Sequence, residues 1–490
     1  MTGLLFPAIT ERMAAHPDSV IGNLADRTTT TQVLEVSGSK RRRLEQSLFR
    51  ERSRVAIIRR NSPSYVSDLL AVLGAGHVPF LMDPSLGPGE LARLFADCGV
   101  DAVLHDDTER FPANRRTIDF LGSWLSVITD PASAAPELHP DTELCRLTSG
   151  STRTPGCVEF SGSAVLAAAE GWRAASGFGP ADRVLCFAGL YNGLGFNAAL
   201  IPGLLAGASL YLPAGLPAAS NIRRHMAEID PTVLVAFPAA YDGLAASDRS
   251  TLDRHSLRLA LSSAARLSAR TSTVLTAHGT RIADYYGIAE TGPLTFNPDP
   301  RPGGGQGYPL PGVSLRFEGD EPDSGRLLAR SRSMGTRYLN YPGMLEERIT
   351  ESGHYRTNDQ GSLTADGELR LGERLDDSLS IGGKKVSMSE VEELLTSHPD
   401  VTACAVAVVA PPAGGHPFLG AVLVGPRVPD VVEIRRYCLT RAAPFKVPER
   451  VVVVPEIPRN GAGKVQRAAV AKLLLASLEQ PKGRAHAADR

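Results

Sequence analysis

Short apolar, often β-branched runs recur along the chain between longer stretches of helical periodicity, and this alternation narrows the available folds more than any other feature. Val55-Ala56-Ile57-Ile58, Val103-Leu104, Val184-Leu185-Cys186-Phe187, Val233-Leu234-Val235-Ala236 and Leu257-Arg258-Leu259-Ala260-Leu261 each read as a strand. Nearly continuous apolar strands belong to parallel sheets covered by helices, so an α/β layering with largely parallel strands is expected. Past residue 374 the texture changes. A helix pattern from Ser389 to Ser397, a strand from Ala403 to Val409, a helix from Val431 to Arg441 and a strand from Val451 to Val454 read as a small α+β domain. At 490 residues the chain exceeds what one hydrophobic core organises. The expected division is a large N-terminal domain of layered β-sheets and helices over residues 1–374 and a small mobile α+β C-terminal domain over 375–478. The polar, charged tail over 479–490 is expected to be disordered. The sequence carries no internal repeat.

With 52 basic and 53 acidic residues the formal charge is −1, which gives no electrostatic reason to expect nucleic acid or a membrane surface as partner. The run Lys40-Arg41-Arg42-Arg43 reads as a solvated helix face. Six scattered cysteines with no CxxC pair suggest neither a zinc site nor a disulfide framework, and fit a reducing cytoplasm. No stretch approaches the roughly 20 apolar residues that span a bilayer, and no basic segment precedes an apolar one at the N-terminus. A soluble, cytoplasmic protein is expected.

Chemistry is concentrated in a few segments. Leu147-Thr148-Ser149-Gly150-Ser151-Thr152-Arg153-Thr154-Pro155-Gly156 packs hydroxyls and glycines into a loop whose N–H and O–H groups suit phosphate oxygens. Alone it reads equally as a flexible loop. Asp284-Tyr285-Tyr286-Gly287-Ile288-Ala289-Glu290, Tyr355-Arg356-Thr357-Asn358-Asp359-Gln360-Gly361 and Gly372-Glu373-Arg374-Leu375-Asp376-Asp377 follow. Next come Gly382-Gly383-Lys384-Lys385-Val386, Glu390-Val391-Glu392 and Pro458-Arg459-Asn460-Gly461-Ala462-Gly463-Lys464-Val465-Gln466-Arg467. Singly, Tyr286 reads as a core aromatic, Asp359 as a turn residue and Lys464 as a surface cation.

In order and spacing these segments resemble the superfamily of acyl- and aryl-CoA synthetases, peptide-synthetase adenylation domains and beetle luciferases. The resemblance runs from Ala71 to Arg467 and takes in Ala71-Val72-Leu73-Gly74-Ala75-Gly76, Met82-Asp83-Pro84 and the stretch from Gly304 to Gly312. A P-loop nucleotidase is disfavoured, because no GxxxxGK[ST] is present.

The resemblance implies ATP, Mg²⁺ and, for the second step, CoA. Under it, Thr148, Ser149, Gly150, Ser151 and Thr152 form the phosphate loop, and Glu290 holds Mg²⁺, a hard cation suited to carboxylate and phosphate oxygens. Tyr286 stacks on adenine with Asp284 near its exocyclic amine, Asp359 accepts from both ribose hydroxyls, and Arg374 is a neighbouring ribose or phosphate contact. Lys464 approaches the reacting carboxylate and α-phosphate, where a compact cation offsets developing negative charge. Asp376 is the hinge on which the small domain swings, bringing the loop around Gly383 to the site for the second half-reaction.

Three positions depart from the pattern. The phosphate loop usually ends Gly-Thr-Pro-Lys-Gly, and Gly156 stands where its lysine would be, with Arg153 as an alternative cation. Ala289 replaces a threonine before the acid, at a cost of roughly 1 kcal/mol or more for the lost contact. Ser380 replaces a lysine after the hinge.

The acid pocket is expected from Tyr191, Asn192, Ala264, Ala265, Gly287 and Ile288. Phe187-Ala188-Gly189-Leu190-Tyr191-Asn192-Gly193-Leu194-Gly195 lacks the aspartate that amino-acid-activating relatives place there, so a free α-amino acid is disfavoured. Its Phe-Ala and Gly-Leu-Gly elements are similar to benzoate-type CoA ligases, which favours an aromatic or arylacrylic acid. Ser262-Ser263-Ala264-Ala265-Arg266-Leu267 stands where the family has Gly-Gly-Ala-Pro-Leu, narrowing the cavity. The leading expectation is adenylation of a small aromatic acid followed by transfer to CoA or to a carrier protein acting in trans. Adenylation of nitrite for diazotisation of an aryl amine, and a nucleotide-binding pseudoenzyme, remain open at this stage.

Overall fold

The apolar runs become the inner strands of two large sheets. In the computed structural model the described residues are 3–48, 50–108, 111, 116–128, 135–148, 155–213, 217–247, 256–263, 267, 269–301, 304–374, 378–381, 384–409, 418–427, 430–442, 446–460 and 463–478. A nine-stranded sheet has a parallel centre of Val20–Gly22, Ser209–Tyr211, Arg183–Cys186, Val233–Val235, Leu259–Ser262 and Ile282–Ile288. Antiparallel strands finish both edges, Arg27–Thr29 on one side and Gly292–Phe296 with Tyr308–Pro309 on the other. An eight-stranded sheet repeats the plan, with Ala102–His105, Arg54–Ile58, Val78–Leu81 and Thr142–Leu147 parallel at its centre. Every residue of Arg54–Ile58, Val78–Leu81 and Val233–Val235 is buried, as strands covered on both faces must be. A four-stranded sheet is formed by Ser314–Glu321, Ser324–Arg330, Tyr355–Leu363 and Leu369–Arg374.

Local chemistry starts and stops the covering helices. Ser62 accepts from the Tyr65 amide and Pro63 opens the helix Pro63–Gly74, using the φ and missing N–H that suit a first turn. Ser161 caps Gly162–Ser176 in the same way, and Gly177 closes it at φ +69°, a left-handed conformation that favours glycine. Thr29 and Gln32 form a reciprocal capping box at the start of Thr30–Ser47.

That helix corrects one expectation. Val33, Ser37, Lys40 and Leu44 recur at three- and four-residue spacing and form its buried stripe, so Lys40 is interior while Arg42 is exposed. Lys40 Nζ lies 2.5 Å from Asp68 Oδ1, and Arg59 Nη1 lies 2.6 Å from Asp68 Oδ2. The Ser123 hydroxyl donates to the same carboxylate at 2.8 Å, and Ser67 Oγ accepts from Lys40 at 3.0 Å. One carboxylate thus holds two cations, and burial still pushes the Lys40 pKa below its ordinary value against the pull of Asp68.

The scattered cysteines also meet. Cys98, Cys145 and Cys157 come from a helix and two adjoining strands into one core cluster, and all six cysteines are buried and free. Hydrogen bonding among these thiols and burial hold Cys98 well above the usual thiol range. Among the described residues no group of histidine, cysteine and carboxylate side chains is arranged to hold a metal, and no helix is long and apolar enough to cross a membrane.

The chain divides into two compact units. The first is built on Met1–Thr357 and holds both large sheets, and the second is built on Gly372–Asn460 with the segment from Lys464. Within the second unit, Ala403–Val409, Phe418–Val424 and Arg450–Val453 form a three-stranded sheet. Cys404 and Val406 face Val391, Leu395 and Ile434 on one side, while Ala405 and Ala407 face Val470 and Leu474 on the other, the strand's twofold alternation filling two helix-covered cores. The proposed boundary after residue 374 abuts 375–377, which lie outside the described residues, as does the segment 479–490.

Removing the carboxylate between two buried cations leaves both uncompensated. Asp68→Ala is therefore expected to destabilise the fold by about 3–5 kcal/mol in denaturant unfolding. A loss below about 1 kcal/mol would show that the network carries little of the stability.

Candidate active site

Glu290 stands in the turn between the strands Ile282–Ile288 and Gly292–Phe296, where the register slips between Tyr286 and Gly287. Such a bulge re-aims the side chains that follow it. The two strands approach so closely that a Cβ at Gly287 would lie 2.6 Å from the Gly292 carbonyl oxygen, and Gly292 itself turns at φ +71°. The turn is fixed from outside. Ser331 and Ser333 hydroxyls donate to the Thr291 carbonyl at 2.7 and 2.8 Å, and the Gly335 amide donates to the Glu290 carbonyl at 2.8 Å.

Two phenols converge on the Glu290 carboxylate. The Tyr338 hydroxyl donates to Oε1, and the Tyr355 hydroxyl is hydrogen-bonded to the same side chain. Burial and the adjacent Glu290 charge raise both phenols above the ordinary tyrosine value. An upward shift keeps each phenol protonated, and so a donor, at every pH below about 10.

The same Tyr338 ring reaches Gly156, at the end of the expected phosphate loop. Thr148 and Gly156 close the base of that loop: the Thr148 amide donates to the Gly156 carbonyl at 2.8 Å, and the Gly156 amide donates to Thr148 Oγ1 at 2.9 Å. A Cβ at Gly156 would stand 2.5 Å from Tyr338 Cε1. The missing lysine thus has a steric counterpart, because any side chain at Gly156 must displace the ring that contacts Glu290. Asn340 fastens the exit of the loop, accepting from the Cys157 amide at 2.8 Å and donating to the Pro155 carbonyl at 3.0 Å. Ser149, Gly150, Ser151 and Thr152 lie outside the described residues.

Along the expected acid segment, the Tyr191 hydroxyl is hydrogen-bonded to Asp83, which joins it to Met82-Asp83-Pro84. Asn192 Oδ1 accepts from the Leu194 amide at 3.0 Å and starts a helical run containing a π-helical turn, Phe196–Leu200. Turns of this kind recur at functional sites. Asn61 ties the segment to the eight-stranded sheet, donating to the Ala188 carbonyl at 2.8 Å and accepting from the Leu190 amide at 3.0 Å. Ile288 is half-buried against the core, and the Ser262 hydroxyl is buried with no hydrogen-bond partner among the described residues. Ala264 and Ala265 lie outside the described residues.

Asp284 is half-buried and its Oδ2 accepts from Gln306 Nε2 at 3.4 Å. Tyr286 is buried against Leu294, Leu327 and Leu369, so part of its ring serves the core. Asp359 is buried within Tyr355–Leu363. Arg374 ends the strand Leu369–Arg374, with its side chain outside the description, and Asp376 and Gly383 lie outside the described residues. Lys464 belongs to the second unit. There the Lys464 amide donates to Asn460 Oδ1 at 2.9 Å and the Asn460 amide donates to the Lys464 carbonyl at 2.8 Å, ahead of the helix Arg467–Ala476.

Sequence reasoning assigned no role to Tyr338, Asn340 or Asn61. No local pattern marks them. Asn340 meets Cys157 across 183 residues of sequence, and only strand pairing shows why the two belong together.

The model of the AMP-binding enzyme family matches residues 10–339, and that of the AMP-binding enzyme C-terminal domain matches residues 390–464. A malonate–CoA ligase of Arabidopsis thaliana is 26% identical over 482 residues, covering 86% of this chain and 78% of that one. A feruloyl-CoA synthase of an Amycolatopsis species is 26% identical over 439 residues, covering 85% and 88%. Among solved structures, an anthranilate CoA ligase in complex with anthranoyl-AMP superposes with a TM-score of 0.80 at 22% identity, covering 98% of this chain and 99% of that one.

The contact between Gly156, Tyr338 and Glu290 yields a paired prediction. Tyr338→Phe, which removes a hydrogen bond to a charged group, is expected to lower kcat/KM roughly 10- to 100-fold with little loss of fold stability. Gly156→Ala, which displaces the ring, is expected to cost activity similarly and stability by about 1–3 kcal/mol. A Gly156→Ala protein with unchanged rate and unfolding midpoint would show that the ring's place is immaterial.

Proposed function

The chain belongs to the AMP-binding enzyme family of the adenylate-forming superfamily, and on that premise we propose that it activates a small aromatic or arylacrylic acid and transfers it to a thiol. The enzyme is an ATP-dependent, AMP-forming ligase. In the first half-reaction a carboxylate oxygen attacks the α-phosphorus of ATP and the bond to pyrophosphate breaks. In the second, a thiol sulfur of CoA or of a carrier protein attacks the acyl carbon, and AMP departs with the carboxylate oxygen.

The observation that carries this reading is the closure around Glu290. One acid is oriented by two neutral phenols, beside the base of a hydroxyl-rich loop, on a turn fixed by Ser331, Ser333 and Gly335. A carboxylate has about four acceptor positions, so two phenols leave room for a cation. Mg²⁺ is commonly held by one or two carboxylates together with substrate phosphates, and a lone Glu290 beside such a loop fits that donor set. When bound, the ion would neutralise phosphate charge. Thr148 and its loop would hold the phosphates, Asp284 and Tyr286 the adenine, and Asp359 and Arg374 the ribose. Lys464 would stabilise the charge that grows as the carboxylate meets the α-phosphate. Asp376 would be the hinge between the proposed domains at 1–374 and 375–478.

The acid is assigned from the segment carrying Tyr191 and Asn192, which offers polar contacts and no aspartate for an α-ammonium. The relatives named above for feruloyl-CoA and anthranilate act on aromatic acids by their names, which favours the aromatic class.

Pyrophosphate release with ATP and Mg²⁺ across benzoic, cinnamic and fatty acids, and across nitrite with an aryl amine, each with and without CoA, tests the proposal. Release with an aryl acid, a CoA thioester as product, and loss of release in Lys464→Ala with ATP binding retained are expected. Release only with nitrite and the amine, or equal loss of binding and turnover in Lys464→Ala, would contradict it.

A further inference from the structure

Arg146 lies two residues before Thr148 on the strand Thr142–Leu147, paired with Leu81 on one side and Val158 on the other. It is only 6% exposed. Its guanidinium carbon sits 4.6 Å from the Phe160 ring centroid and 5.0 Å from that of Phe196. Among the described residues no carboxylate or carbonyl receives it, and its buried Nε has no hydrogen-bond partner. The neighbouring Tyr65 hydroxyl is likewise buried and without a partner. Burial draws the Arg146 pKa down to about 10, which leaves it charged at neutral pH.

The other interior cations are treated differently. Lys40 and Arg59 share Asp68, and Arg54 donates to the Cys98 carbonyl at 2.6 Å and to the Pro136 carbonyl. Aromatic faces offset part of the cost of a buried cation, but the N–H donors of a guanidinium lie in its own plane and still require acceptors. A buried charge left in that state is costly enough to call for an anionic partner.

The location indicates where that partner comes from. A Cβ at Gly193 would stand 3.8 Å from Arg146 Nη1, so the guanidinium borders the segment of Tyr191 and Asn192. It also neighbours Tyr285, the residue before Tyr286. At ~3.3 Å per residue along a strand, Arg146 stands ~7 Å back from Thr148, and Tyr285 ~10 Å back from Ile288 at the Glu290 end. The Arg146 backbone therefore stands behind the end of the strand that leads into the expected phosphate loop.

Building on the acid-adenylating reading, we propose that Arg146 forms the far end of the acid pocket and receives a second oxyanion of the substrate, a carboxylate or sulfonate distal to the carboxylate that is activated. The Arg146 fork would bind that group with the Tyr65 hydroxyl as a further donor, and acids lacking it would leave a buried charge unmatched.

The test offers each acid with and without the second group: isophthalate and terephthalate against benzoate and the monomethyl esters, and succinate against butyrate. Pyrophosphate release by the wild-type enzyme is expected to favour the dianions by roughly 10- to 100-fold in kcat/KM, the worth of a charge-assisted hydrogen bond. Arg146→Met is expected to abolish that preference. The preferred dianion should then raise the Tm of the ATP-bound wild type but not of the variant, while ATP alone still raises the Tm of both. Should Arg146→Met fail to fold, Arg146→Lys keeps the charge without the fork and is expected to lose most of the preference. Equal kcat/KM for acids with and without the second group, or a preference that survives either variant, would overturn the inference and leave acid adenylation standing. Silence with every acid would remove both readings together.

Discussion

The wedge of the Tyr338 ring between Gly156 and Glu290 joins the pieces on which this site depends. It ties the base of the proposed phosphate loop, at the edge of the eight-stranded sheet, to the acid on the turn of the nine-stranded sheet. The ring fits only because position 156 has no side chain, and the hydroxyl finds its acceptor only because the bulge at Gly287 and the serines at 331 and 333 aim the turn. A departure from the family pattern at Gly156 therefore belongs to one packing solution shared by a glycine, a phenol and a carboxylate.

The interior charges sort by the same physics. Asp68 is buried because two cations and a serine satisfy it, so its cost is offset inside the fold. Arg146 is also buried, with the Phe160 and Phe196 rings against it and no hydrogen-bond partner for its Nε among the described residues. The first arrangement is complete in the free protein, whereas the second is complete only when something negative is added, and that difference separates a structural charge from a binding one.

Much of the fold was legible in the sequence because parallel strands buried on both faces cannot hide their apolar runs. Val55 to Ile58 and Val103-Leu104 fall in strands, as do all but the last residue of Val184 to Phe187 and of Val233 to Ala236 and all but the first two of Leu257 to Leu261, and the α+β reading of the chain beyond residue 374 holds for Met388–Thr396, Ala403–Val409, Val431–Leu439 and Arg450–Val453. Lys40 was misread because a basic run looks solvated until the helical phase of Val33, Ser37 and Leu44 is laid over it. Motif order singled out Glu290 and Lys464, but Tyr338, Asn340 and Arg146 left no mark. Their meaning lies in what distant strands bring against them, and a lone arginine in an apolar strand gives no sign that its acid is missing.

Activation through an acyl adenylate is tested most directly by the fate of the carboxylate oxygens. An acid labelled with ¹⁸O in its carboxylate, turned over with ATP and a thiol, should deliver one labelled oxygen to AMP and none to pyrophosphate, as read by mass spectrometry. Label appearing in inorganic phosphate with ADP as co-product, or AMP formed without label, would contradict the account.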